Sequence, residues 1–307
     1  MSTNHRSPFS MTSVRCCTLS LALSLGAAGL AQATEGGGSA YPRGVENYLA
    51  GAVPPPGLYW LGYGNVYSAD RLNDKDGNEI PIPGFKVQAG ALVLRPVWST
   101  TYQALGGNIV FHSVIPLVDL KVNAAGNSQH KTGIGDVTVG IGLATHYSPQ
   151  FHTALGLDLV LPTGGYGKDD LANIGRNYAT WQPLYALSWT DAKGFNGDLK
   201  FTFNLNQRNK DTDYRSGNEL FIDYAAGWGL GNGWTVGVGG HAWQQLGNDK
   251  SAGATLADSK VRAFSIGPSI KYDNGAGWFI TAKLQKETAV RNSTQGTAFW
   301  LKTLIPF

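Results

Sequence analysis

His146 and His152 come nearest to metal chemistry by type and spacing, because they flank Ser148-Pro149-Gln150 and a tight turn there would face two imidazoles toward each other. The plainer reading, two polar side chains at a membrane boundary, is preferred. His112 and His241 each stand alone in an alternating segment, where a single histidine is expected to be hydrogen-bonded rather than reactive. Asn73-Asp74-Lys75-Asp76-Gly77-Asn78-Glu79 has the composition of a calcium loop, but an EF-hand frame would set Leu72 and Pro83 at its first and last ligand positions, where neither can ligate. Asp, Asn and Gly also favour turns for local backbone reasons, so a solvated turn is expected. The sequence has no G-x-S-x-G elbow, H-E-x-x-H pair or phosphate loop. The glycine runs at 227–233 and 237–240 are followed by no helix of the kind a dinucleotide site requires, and they are assigned to structure. The expectation is a non-enzymatic chain with no metal and no cofactor.

Composition limits the elements that can position these residues. The 307 residues include 41 Gly, 9 Trp, 13 Tyr and 12 Phe but are only 15% charged, which suits an all-β protein and not a disordered chain or helical repeat. A formal charge of +3 carries no basic footprint for nucleic acid. Residues 1–33 read as a cleaved signal peptide: Arg6 and Arg15 precede an apolar run from Thr18 to Leu30, and Ala31-Gln32-Ala33 forms a small-residue cleavage site. That run is shorter than the roughly 20 residues a membrane helix needs. Cys16 and Cys17 fall within the removed part, so the mature chain is read as lacking thiol and disulfide chemistry.

The mature chain is built from segments that alternate with period two. Leu199, Phe201, Phe203 and Leu205 point one way, and Lys200, Thr202 and Asn204 the other. Residues 155–161 and 278–284 repeat the pattern. About twelve such strands are expected, at 57–70, 85–103, 107–121, 133–147, 151–162, 177–190, 196–208, 216–229, 233–246, 260–272, 277–289 and 295–307; most reach the roughly 9–11 residues a tilted strand needs to cross a bilayer. Connections alternate between long, polar ones (71–84, 122–132, 163–176, 209–215, 247–259) and tight ones, as in a barrel with extracellular loops and short periplasmic turns. Aromatics near strand ends, among them Tyr59, Trp98, Tyr178, Trp189, Trp234, Trp278 and Trp300, fit interfacial girdles. Phe307 ends the last strand as an aromatic assembly signal. The fold expected is a transmembrane antiparallel β-barrel over 57–307 in the bacterial outer membrane, with residues 34–56 as a periplasmic lead-in or a lumen plug. A secreted β-sandwich would also alternate, but with shorter strands.

With each greasy face turned to lipid, Arg95, Asp158, Lys200, Asp223, His241, Lys271, Lys283 and Lys302 point into the lumen. A Lys or Arg facing lipid at the midplane would cost about 2–4 kcal/mol. Five cations against two aspartates predict a weakly selective or mildly anion-preferring pore.

Pro54-Pro55-Pro56-Gly57-Leu58-Tyr59, Gly133-Ile134-Gly135-Asp136, Leu161-Pro162-Thr163-Gly164-Gly165-Tyr166 and Asn173-Ile174-Gly175-Arg176-Asn177-Tyr178, taken in order with Trp181 and the terminal Phe, resemble the outer-membrane proteins of the meta-pathway of phenol degradation family. The resemblance runs from about Pro54 to Phe307. It implies an outer-membrane location and an association with aromatic catabolism, and it brings no catalytic residue. Together the readings point to a channel or transporter for small, largely apolar solutes, aromatic ones included, whose partners are membrane lipid, the solute and the assembly machinery. An outer-membrane enzyme acting on lipid or peptide, and a structural or adhesive barrel, are the alternatives.

Overall fold

The computed structural model describes residues 34–306; residues 1–33, read from the sequence as a signal peptide, and Phe307 lie outside them. A short 3-10 turn at Glu35–Gly37 is followed by β1 (Gly57–Leu72), β2 (Lys86–Ala104), β3 (Gly107–Ala124), β4 (Asn127–Ile134), β5 (Thr138–His146), β6 (Phe151–Val160), β7 (Thr180–Trp189) and β8 (Phe195–Asn206). Then come β9 (Tyr214–Arg215), β10 (Glu219–Gly229), β11 (Trp234–Gln245), β12 (Lys250–Ser251), β13 (Ala254–Thr255), β14 (Arg262–Asp273), β15 (Phe279–Arg291) and β16 (Thr294–Pro306). β4 and β5 share one wall position, β9, β12 and β13 form a small separate sheet in the long loops, and the others complete a closed barrel of twelve antiparallel strands. Closure is made by β1 against β16, from Tyr59 opposite Pro306 to Leu72 opposite Thr294.

The alternation read from the sequence sets inside from outside. Leu155, Leu157, Trp181, Tyr185, Val236, Val238, Ile266 and Leu284 are exposed on the outer wall, whereas Gln182, Asn204, Glu219, Asp223, His241 and Gln285 are buried within. This inverts the arrangement of a soluble protein and is that of a membrane-spanning barrel. At the short-turn end, tilted and edge-on rings form an outer girdle, with Trp234 against Tyr272, Tyr272 against Trp278, and Phe151 against Trp189.

Three expectations are corrected. Residues 122–132 do not form a polar loop: β3 continues into β4 through a tight turn at Ala125 and Gly126, whose φ values of 50° and 83° suit a two-residue hairpin turn. The strand placed at 133–147 is interrupted at 135–137, opposite Pro116, which has no N–H to give the ladder; Gly135 N donates to the Pro116 carbonyl. β4 therefore pairs with β3 alone. Finally, Tyr59, Tyr178 and Trp300 are not girdle residues: Tyr178 and Trp300 are buried, and Tyr59 packs partly buried against the Trp300 cluster. Their place near strand ends was legible, but the side of the wall was not.

Candidate functional site

The barrel interior is occupied by residues 34–53. Glu46 is the charged centre of this segment. Its carboxylate accepts from Lys302 Nζ at 2.8 Å and from Arg95 Nη1 at 3.3 Å, with Lys200 Nζ 3.6 Å away. Lys283 Nζ donates to the Glu46 carbonyl at 2.6 Å. Burial opposes ionisation of Glu46, but the Lys302, Lys200 and Arg95 charges outweigh it and hold the carboxyl well below the usual range. Tyr41 OH donates to Asp223, and Lys271 stands 6.0 Å over the Tyr48 ring while also reaching Asn196 at 3.4 Å. Lower on the segment, Ala50 N donates to Asp198 Oδ1 at 2.9 Å and Gly51 N to Ser188 Oγ at 2.8 Å.

The other two interior residues singled out from the sequence bond to the wall. Asp158 Oδ1 faces His112 Nε2 at 2.9 Å, and His241 Nδ1 faces Ser265 Oγ at 2.7 Å. His112 and His241 are thus hydrogen-bonded, as expected. His146 and His152 meet Nδ1 to Nδ1 at 2.7 Å on the exposed rim, and no group of three His, Cys, Asp or Glu able to hold a metal exists among the described residues. In the Asn73–Glu79 stretch, Asp74 Oδ1 accepts from the backbone N of Asp76 and Asn78, which makes a turn.

Sequence reading missed Glu46, Tyr41 and Arg43 because they precede the barrel, and Asp198, Glu219 and Glu287 because the greasy-neighbour test failed there. Glu287, for example, stands between Lys286 and Thr288, yet it is buried and pairs with Arg43 at 3.1 Å. These acids change the interior charge balance from which anion preference was expected. The glycines assigned to bends also do more. Gly227 and Gly237 lie on the inner face beneath Tyr48, where a Cβ at Gly237 would stand 2.6 Å from the Tyr48 hydroxyl. Their missing side chains make the seat for a fully buried tyrosine.

Beside the segment lies a cavity of about 330 Å³. Ala91 and Val93 of β2 and Val114, Pro116, Val118 and Leu120 of β3 line it with apolar surface, and Glu46, Arg95, Asp158 and Lys200 also border it. Because Leu92, Leu94, Ile115 and Leu117 are exposed outside the same two strands, this part of the barrel is greasy on both faces. Trp300 borders the cavity, and its buried Nε1 has no hydrogen-bond partner among the described residues.

The cavity reaches the interrupted wall at Gly135 and Asp136. There Asp136 accepts from Gly164 N at 2.9 Å and from Arg176 N at 2.7 Å, while Thr163 Oγ1 accepts from Val137 N at 2.9 Å. Gly164 and Gly175 touch backbone to backbone, since a Cβ on Gly164 would lie 2.7 Å from Gly175 Cα. The motifs around Gly133, Thr163 and Ile174 are thus distant in sequence but meet at one place, where loop 161–179 closes a gap that no strand fills.

A closed barrel with an apolar exterior, a charged N-terminal segment seated inside and a partly apolar cavity defines a membrane-spanning barrel of the outer-membrane type. The chain belongs to the family described as "Putative MetA-pathway of phenol degradation", whose model matches residues 69–303. The barrel is similar to that of an outer membrane channel from Pseudomonas putida F1, at a TM-score of 0.73 and 18% identity over 86% of this chain and 100% of that one. It is also similar to the transport unit of the autotransporter AIDA-I from Escherichia coli, at a TM-score of 0.51 and 8% identity over 85% of this chain and 93% of that one. No curated protein matches the sequence.

Proposed function

We propose that the protein is a bacterial outer-membrane channel that passes small, largely apolar solutes, aromatic ones included, without covalent chemistry. The observation that carries this reading is the cavity: it is lined by Ala91, Val93, Val114, Pro116, Val118 and Leu120 of β2 and β3, and it reaches the interrupted wall at Gly135 and Asp136. The axis itself is occupied by a segment held by Glu46 and its cations. A hydrated ion would meet fixed charges there, whereas an apolar solute has a greasy wall beside it. In this role Arg95, Lys200, Asp223, Lys271, Lys283 and Lys302 hold residues 34–56 as a plug, Asp158 and His241 line the lumen beside it, and membrane lipid is the partner of the outer wall. The match to a family named for phenol degradation supports the same solute class.

The enzyme alternative has one set of residues to recommend it. Ser265 Oγ lies 2.7 Å from His241 Nδ1, and His241 Nε2 lies 3.8 Å from Glu287 Oε1. Ser265 and His241 are buried in the wall and do not border the cavity, so no substrate reaches that hydroxyl. The test is uptake of a labelled aromatic hydrocarbon at limiting concentration by cells with and without the protein. Val118→Asp, which places a charge on the apolar wall, should cut uptake at least tenfold while leaving the protein in the outer membrane. Equal uptake by cells lacking the protein refutes the reading.

A further inference from the structure

The long-loop end of the outer wall carries cations that the interior does not use. Gln244, Arg262 and Arg291 stand in one row across β11, β14 and β15, since Gln244 is opposite Arg262 and Arg262 opposite Arg291. Their neighbours Trp243, Ala263 and Val290 pack together inside the barrel, so this row faces out. Directly below it on the same face come Phe264 and Ile266, both exposed, which begin the lipid belt. Two like charges placed opposite each other on adjacent strands repel, and no described residue supplies either arginine with a carboxylate. Lys260 and Lys286 are likewise without a described side-chain partner. Lys286 lies opposite Ile266 and faces out near the exposed Leu284.

The row opens into a groove of about 480 Å³ bordered by Lys75, Lys260, Arg262 and Arg291 against only Asp76 and Asp258, which both approach Lys75, at 3.3 and 4.0 Å. The groove is held in shape by Asn292, whose Nδ2 donates to the carbonyls of Asp258 at 2.7 Å and Lys260 at 3.0 Å and whose N donates to the Asp74 carbonyl at 2.9 Å. At Ala289, with a φ of 52°, the β15 ladder shifts register before Arg291, which swings that arginine back to the outer face.

We propose that this groove binds the phosphate groups of the phosphorylated glycolipid that forms the outer leaflet around the barrel. The ligand chemistry follows from the position. Guanidinium groups grip phosphate oxygens in pairs, the row stands one step above the greasy belt where headgroups lie, and an anion there relieves the repulsion between Arg262 and Arg291. The inference rests on the outer-membrane placement but not on which solute the cavity passes.

The test is native mass spectrometry of the full-length purified protein in detergent with added lipid A, alongside thermal unfolding with and without it. Wild type should hold one lipid A and unfold at a higher temperature in its presence. Arg262→Gln with Arg291→Gln should lower the bound fraction at least tenfold and abolish the temperature rise, and Arg262→Lys with Arg291→Lys should restore part of both. Enzymatically dephosphorylated lipid A should bind as poorly as the glutamine variant holds the intact lipid. Tens of millimolar inorganic phosphate should compete only weakly, because the adjoining belt contributes acyl contact. Equal binding of lipid A by wild type and the glutamine variant, or equal binding of the dephosphorylated lipid by wild type, overturns the proposal. Complete competition by inorganic phosphate overturns the lipid source. Because aromatic uptake does not involve these side chains, the glutamine variant should keep it; loss of lipid binding with uptake retained separates this proposal from the channel reading.

Discussion

Replacing Glu46 by alanine should release the segment seated in the barrel. The carboxylate is buried and answers three cations, Lys302 at 2.8 Å, Arg95 at 3.3 Å and Lys200 at 3.6 Å. Removing one member of a buried charge set leaves the others uncompensated, at a cost of about 3–5 kcal/mol. That is roughly a hundredfold to several thousandfold in the balance between seated and released segment, at about 1.4 kcal/mol per tenfold. The remaining anchors are the Arg43–Glu287 ion pair and hydrogen bonds such as Ala50 N to Asp198 and Gly51 N to Ser188, these bonds each contributing about 1 kcal/mol net. Single-channel recording in planar bilayers should therefore show larger and noisier conductance in E46A than in wild type, and protease added to the reconstituted protein should clip residues 34–53. The quadruple change Glu46→Leu, Arg95→Met, Lys200→Met and Lys302→Met replaces the charge set by apolar groups and should reseat the segment and return conductance toward wild type. If E46A conducts as wild type and its segment stays protected, the charge set does not hold the segment, and the occlusion argument fails.

Deleting residues 36–52 should raise conductance further without preventing insertion, because the barrel closes through β1 and β16; failure to insert would make the segment part of folding. Changing Asp158 and Asp223 to Asn should move the reversal potential toward anions with folding nearly intact. If selectivity stays fixed while Lys200→Leu stabilises the barrel in lipid, the assignment of inner and outer faces is inverted. Because the Glu46 pKa is depressed in the folded chain against burial, its anchoring is complete above the ordinary carboxylate range and is lost only as pH falls through the depressed value. Conductance should accordingly hold steady through about pH 4, where exposed carboxylates protonate, and rise only at lower pH; a rise centred near the ordinary carboxylate value would contradict the charge assignment. Heated and unheated samples should migrate differently on a denaturing gel and fractionate with the outer membrane, since a closed barrel leaves no free edge to open; recovery as a soluble periplasmic protein would end the reading.

The barrel and its two faces were legible in the sequence because a strand alternates by covalent geometry. Leu199-Lys200-Phe201-Thr202-Phe203 states which side meets lipid wherever the strand sits, and the parity of short and long connections orients the whole. That rule placed eight titratable residues inside; the strand acids it passed over each have a neighbour that is not greasy, Gly197 beside Asp198, Asn218 beside Glu219 and Lys286 beside Glu287. What only the tertiary structure decided depends on contacts between residues far apart along the chain. Glu46 meets Lys302 across 256 positions, and Tyr48 fits over Gly227 and Gly237, although nothing near Glu46 or Tyr48 in sequence specifies either partner. The break at 135–137 needed Pro116 opposite it, and the outer row of Arg262 and Arg291 needed the register of β14 against β15 with its shift at Ala289. Alternation is a property of each strand, whereas register and closure are properties of the assembled barrel. The faces could therefore be read residue by residue, but the pairings existed only once the barrel had closed.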